Sequence, residues 1–268
     1  MTDFASIYPL HSVAVSIMVV LVVREGLLFG ADRNVTTTNT LTGSTSQAPR
    51  RKVLKWPNRE IVVGYVGRAE VAGRPADDWL EDFIGRDTGL SLRRLAENLK
   101  RDLESDLGSQ VGAQGMILHL CGFVEDAGQW KPQVWYVRNT TIDSNYQDVK
   151  AEFDVSEEID SRGKFPGWTG NQIRTRVDQM AHAWNPFWFR QGIDLITFHM
   201  LDATIRQGMH AIVEEHPDRL HPFPDSLEEW SKHLKMTILT YGSYFGAFHL
   251  PSQRFVGGGL DVVSVEWP

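Results

Sequence analysis

A single cysteine among 268 residues, Cys121, excludes any internal disulfide. It lies inside the apolar run Met116 to Val124, where it reads as a small buried hydrophobe; a cysteine nucleophile would need an exposed, electropositive setting. A reducing, cytoplasmic location suits such a chain. Basic charge is also scarce: 27 Lys and Arg stand against 34 Asp and Glu, a net charge of -7, and the nearest basic cluster is the short Arg50-Arg51-Lys52. A general nucleic-acid or anionic-membrane surface calls for a clustered excess of Lys and Arg, so neither partner is expected. The segment closest to a membrane span, Val13 to Val23, is eleven residues long, where about 20 apolar residues are needed. It also lacks the basic start of a secretion signal, with no Lys or Arg before Arg24, and its valine content suits a buried strand.

Nucleotide fingerprints are missing as well. No Walker A motif occurs, and Gly257-Gly258-Gly259 leads into a strand pattern instead of a helix. His210 and His216 flank a helical stretch at a spacing of six, whereas ligands on one helix face sit at i and i+4. No cofactor and no metal are therefore expected.

What remains is enough for one sizeable domain, since 42% of the residues are hydrophobic and the chain needs no disulfide or metal to hold its core. Ile17 to Val23 and Leu27 to Ala31, separated by Arg24-Glu25-Gly26, read as a β-hairpin. A Thr/Ser-rich loop follows over Thr36 to Arg51, then a strand over Ile61 to Val66 that ends at Gly67. Asp77 to Ile84 and Leu92 to Leu107 read as helices, the second with Leu92, Leu95, Ala96, Leu99 and Leu103 at helical spacing behind a capping Ser91. Met116 to Val124 and Gln133 to Arg138 make a second hairpin across the polar stretch Glu125 to Lys131. Residues 139–185 show no clear period and fit short strands or a polar insertion. A long helix is expected from Phe187 to Val213. Another starts at Ser226, where Ser226 and Glu229 form a capping box ahead of Trp230, Leu234, Ile238 and Tyr241. Leu260 to Glu266 closes the chain as a strand. Strands and helices thus come in blocks, which predicts an α+β fold of stacked antiparallel sheets flanked by helices.

Against this background, Gly26-Leu-Leu-Phe-Gly-Ala-Asp32-Arg33-Asn34-Val35-Thr36 resembles the second-strand signature of proteasome β-type subunits and their bacterial relatives. The similarity continues through Lys52-Val-Leu-Lys-Trp into Ile61-Val-Val-Gly-Tyr-Val-Gly67 and covers roughly two thirds of the chain, residues 139–185 least well. The resemblance implies a four-layer αββα sandwich, the N-terminal-nucleophile (Ntn) hydrolase fold, over residues 16–268, with residues 1–15 as an N-terminal extension or propeptide. It implies that Ser16 stands where the family has its threonine nucleophile, whose freed α-amine acts as base while the hydroxyl attacks an amide carbonyl. Lys52 becomes the ammonium beside that hydroxyl, Asp32 the carboxylate that keeps the lysine charged, and Gly67 the backbone N–H for the developing oxyanion.

The expected function is a peptidase or amidase acting on peptide or protein substrates within a homo-oligomeric ring or spiral. An ATPase partner is left open. The chain departs from the family pattern at Val15, where self-processing members carry glycine. It departs again at Arg254-Phe255-Val256-Gly257, where active members keep an aspartate and a serine. A non-catalytic scaffold with an uncleaved extension is therefore the alternative. In that reading Ser16 is a small strand residue, Asp32 and Lys52 form a structural ion pair, and Gly67 permits a tight strand end.

Overall fold

The valine-rich start of the chain forms β1 (Ile17–Val23), and a turn at Arg24 and Glu25 returns it as β2 (Gly26–Asp32). In the computed structural model, residues 16–38, 45–86, 89–140, 148–159, 165–183, 187–192, 195–215, 224–248 and 259–268 are described. The expected extension over residues 1–15, His216 and the stretch Arg254 to Gly257 lie outside them.

Every residue of β1 and β2 is buried, because both faces of the hairpin are covered. The period of two divides them. Met18, Val20, Val22, Leu27, Phe29 and Ala31 join one core, and Ile17, Val19, Leu21, Val23 and Leu28 join another. β2 pairs antiparallel on its far side with β13 (Leu260–Glu266), the expected closing strand. On the other side β1 pairs with β12 (Phe187–Gly192), giving a four-stranded sheet in the order β12-β1-β2-β13. This corrects the expected helix over Phe187 to Val213: the helix is α4 (Leu195–Glu215), and the segment ahead of it is a strand. The physical reason is the open edge of β1, whose buried N–H and C=O groups need a second ladder partner that the Phe-Trp-Phe run supplies.

Another difference falls in the Thr/Ser-rich loop, which contains a hairpin of β3 (Asn34–Thr38) and β4 (Thr45–Pro49). Threonine is β-branched and favours extended backbone. Beyond it, the second sheet runs β11-β10-β9-β6-β5, all antiparallel. Its members are β5 (Val53–Lys55), β6 (Ile61–Gly67), β9 (Met116–Asp126), β10 (Gln129–Thr140) and β11 (Val149–Glu157). β9 and β10 meet in a two-residue turn, Ala127 and Gly128, with φ of 49° and 76°. That tight turn lets the ladder extend through most of the polar stretch expected as a connection.

Between β6 and β9 lie the two short strands β7 (Glu70–Val71) and β8 (Arg74–Pro75), then α1 (Ala76–Gly85) and α2 (Leu92–Leu107). Ser91 Oγ accepts the Arg94 N–H and caps α2. The predicted leucines of α2 are buried in a core shared with Trp79, Leu80 and Phe83 of α1 and with Ile61, Val63, Tyr65, Leu118 and Leu120 of the five-stranded sheet. The opposite face of that sheet, through Val62, Val66, Ile117, Cys121, Phe123 and Val134, packs against the inward face of β1 and β2. On the outer face of the four-stranded sheet lie Trp230, Leu234, Ile238 and Tyr241 of α5 (Leu227–Phe248), the four positions expected from its spacing. Gly30 permits this approach, since a Cβ there would stand 2.8 Å from Ile238 Cδ1.

The stretch without a clear period contains regular structure. β11 buries Phe153 against α2, and α3 (Gly170–His182) sends Ile173 and Val177 into the core between the sheets. Thr169 and Gln172 form a complete capping box at the start of α3. Among the described residues, no helix is long and apolar enough to cross a membrane.

Candidate functional site

The end of β2 and the start of β1 lie side by side because the hairpin register sets Met18 opposite Ala31. One step further, the Ile17 N–H donates to Asp32 Oδ1 at 2.9 Å, and the Asn34 N–H donates to Asp32 Oδ2 at 3.1 Å. Asp32 is fully buried, so these amides hold its carboxylate in place of water. Lys52 enters from the edge of the other sheet, immediately before β5, and is 1% exposed. Its Nζ lies 3.1 Å from each Asp32 oxygen and 2.8 Å from Ser16 Oγ, and it also donates to the Asn34 carbonyl. Ser16, Asp32 and Lys52, expected to act together, are thus joined by direct hydrogen bonds.

An ammonium has three N–H groups, and Lys52 finds three acceptor groups: a hydroxyl, a carboxylate and a carbonyl. The geometry fits a charged lysine and a charged aspartate. Burial pushes the Lys52 pKa down and the Asp32 pKa up, and the attraction between the two charges opposes both shifts. Because Ser16 Oγ accepts from Lys52, its own proton remains available for donation to a base.

Gly67 sits at the end of β6 opposite Met116, at φ 91°. A Cβ there would stand 2.3 Å from the Gly115 carbonyl oxygen, so both backbone conformation and space require glycine. The bonds that join Ser16, Asp32 and Lys52 do not extend to it.

Two participants escaped the sequence reading. One is the Asn34 carbonyl, a main-chain group that side-chain identity cannot reveal. The other is Asp261 on β13, whose Oδ2 accepts the Lys52 backbone N–H at 3.1 Å and whose Oδ1 lies 2.8 Å from Arg33 Nε. That Nε makes no aligned hydrogen bond, so the contact with Asp261 is one of charge. The available signal was a carboxylate within the mostly apolar closing strand Leu-Asp-Val-Val-Ser-Val-Glu.

Cys121 is fully buried, and burial pushes its thiol pKa well up, which disfavours the thiolate a nucleophile needs. Among the described residues, no group of three or more His, Cys, Asp or Glu is arranged to hold a metal ion.

Neither a protein-family model nor a curated protein matches the chain. Among solved structures it is similar to an Anbu (Gly-1) mutant from Hyphomicrobium sp. strain MC1, at 13% identity over 94% of this chain and 81% of that one, with a TM-score of 0.42. It is also similar to Anbu (ancestral beta-subunit) from Yersinia bercovieri, at 12% identity over 93% of this chain and 81% of that one, with a TM-score of 0.41. At TM-scores this low, neither likeness carries weight beside the geometry of the site itself.

Proposed function

We propose that the chain is a proteasome-like N-terminal-nucleophile hydrolase that cleaves amide bonds of peptides or proteins with Ser16. The observation that carries this reading is the buried Lys52 ammonium, 2.8 Å from Ser16 Oγ and paired with Asp32. A serine in an ordinary strand has no need of a buried cation on its hydroxyl, and bringing that cation out of water costs several kcal/mol.

In the proposed reaction, removal of the residues before Ser16 creates its α-amine. The amine takes the Oγ proton while Oγ attacks the substrate carbonyl; the Lys52 charge keeps the amine neutral near pH 7 and stabilises the developing alkoxide. The Gly67 N–H is assigned to the oxyanion. Collapse of the tetrahedral species breaks the C–N bond and the amine returns the proton to the leaving group. Water then attacks the resulting ester, returning Ser16 to its hydroxyl form and releasing the acid.

The packing of two sheets against each other, with α1 and α2 outside one and α5 outside the other, supports an αββα sandwich of the Ntn type for this reaction. A homo-oligomeric ring or spiral in the cytoplasm completes the reading.

Intact mass and N-terminal sequence of the purified protein, with Ser16→Ala beside it, test the proposal. A wild-type chain beginning at Ser16 and a full-length variant support self-activated hydrolysis. If both keep Met1, Ser16 has no free amine and the scaffold reading replaces it.

A further inference from the structure

Asp32 and Lys52 come from different sheets, and something must fix the two backbones relative to each other if the lysine is to stay on the serine hydroxyl. Asp32 ends β2, at the centre of the four-stranded sheet. Lys52 precedes β5, an edge strand only three residues long. On one side the Lys52 carbonyl accepts the Tyr65 N–H at 3.1 Å, which ties it to β6. On the other side its N–H has no ladder strand; it donates instead to Asp261 Oδ2 at 3.1 Å, across the boundary between the two sheets.

β13 holds the Asp32 side of the site as well. Leu260 pairs with Asp32 and Asp261 with Ala31, while the Arg33 N–H donates to the Gly259 carbonyl at 3.0 Å. Arg33 Nε lies 2.8 Å from Asp261 Oδ1, a charge contact at the oxygen that does not accept the Lys52 amide. The Asp261 side chain is 11% exposed, so little water competes for the Lys52 amide.

We infer that Asp261 is a positioning residue for the proposed reaction: its side-chain oxygen, accepting the Lys52 N–H, holds the Lys52 backbone so that the ammonium remains on Ser16 Oγ. The inference rests on the Ser16 reading for its chemistry, and its geometry stands apart from it. Asp261 touches neither Ser16 nor substrate in this role. Its negative charge also favours the charged form of Lys52, in the same direction as Asp32.

Two readouts test it on Asp261→Ala, Asp261→Thr and Asp261→Asn. Threonine suits a strand but its hydroxyl is too short to reach the amide, which covers the case in which the alanine variant does not fold. Asparagine keeps an oxygen that can accept the Lys52 N–H. The first readout is exchange of the Lys52 ammonium protons, followed by nitrogen NMR on the full chain. Exchange at least tenfold faster in the alanine or threonine variant, with near wild-type exchange in the asparagine variant, is expected. The second is acylation of Ser16 by a reactive lactone in a chain whose first residue is Ser16. The maximal rate should fall at least tenfold with half-saturation unchanged, and asparagine should restore it to within about threefold.

Wild-type exchange in the alanine and threonine variants overturns the inference, and so does equal impairment of all three variants. A wild-type chain that the lactone never acylates defeats the Ser16 reading instead, while the exchange readout still decides the role of Asp261.

Discussion

Removing the Asp32 carboxylate by Asp32→Ala leaves the Lys52 ammonium, 1% exposed, without the counter-charge that stands 3.1 Å away. Breaking one side of a buried ion pair costs about 3–5 kcal/mol. The Ile17 and Asn34 amides lose their acceptor too, each adding about 1–3 kcal/mol if water does not replace it. The sum is a large share of the roughly 5–15 kcal/mol by which a domain is stable, so the urea midpoint should fall steeply. Folding would then lower the Lys52 pKa further than burial already does, while the unfolded chain binds its proton up to the ordinary value of 10.5. More protons bound in the unfolded state means that stability rises with pH below that value, by at most about 1.4 kcal/mol per pH unit. Urea denaturation by tryptophan fluorescence between pH 7 and 9.5 measures both effects. A variant within about 1 kcal/mol of wild type at pH 7, with the same pH dependence, would refute the reasoning that this pair is charged and dry.

His119 gives the same sign of pH dependence in a more acidic range. Its ring is fully buried between Tyr136, at 4.1 Å, and Phe29, neither ring nitrogen has a hydrogen-bond partner, and burial together with the charge of Arg138 pushes its pKa well down from 6.5. The folded state then resists protonation, so stability is lost as pH falls below 6.5; His119→Phe should remove up to about 1.4 kcal/mol per pH unit of that loss, seen in urea midpoints at pH 7.5 and 5.5. Gly67→Ala meets the Gly115 carbonyl at 2.3 Å and should lower the melting temperature far more than Gly73→Ala, whose Cβ has nothing within 4 Å. Strain of order 1–3 kcal/mol from positive φ is common to both, so the difference read by calorimetry isolates the clash. Asn139→Ala should cost about 2–4 kcal/mol, because the buried amide accepts from the Met116 N–H and donates to the Val111 and Gln114 carbonyls; chemical denaturation checks it.

Where the chain has one dominant periodicity, the elements could be read directly. α2 and α5 carry their core residues at i, i+3 and i+4, and β1, β2 and β13 are short apolar runs between turn residues. Phe187 to Gly192 resisted because an aromatic run has no period of its own, and its strand conformation follows from the open edge of β1, a tertiary demand. α3 was hidden by polar residues on its exposed face. The sign of its start, Thr169 with Gln172 and then Ile173 and Val177 four apart, was present in the sequence.

Within the candidate site, the resemblance of the second strand and of a lysine that opens a short strand, with a count back from Asp32, pointed to Ser16, Asp32 and Lys52, and hydrogen bonds from Lys52 join the three. The Asn34 carbonyl and the Asp261 carboxylate could not be read from spacing: the first is main chain, and the second reaches Lys52 from 209 residues away.

Covalent trapping of the nucleophile tests the central claim most directly. The chain is expressed behind a cleavable fusion so that Ser16 is its first residue, treated with a reactive lactone, and mapped by peptide mass. The account predicts one adduct, on Ser16, that is lost in Ser16→Ala and strongly slowed in Lys52→Ala. An intact, folded chain that forms no adduct on Ser16 would contradict it.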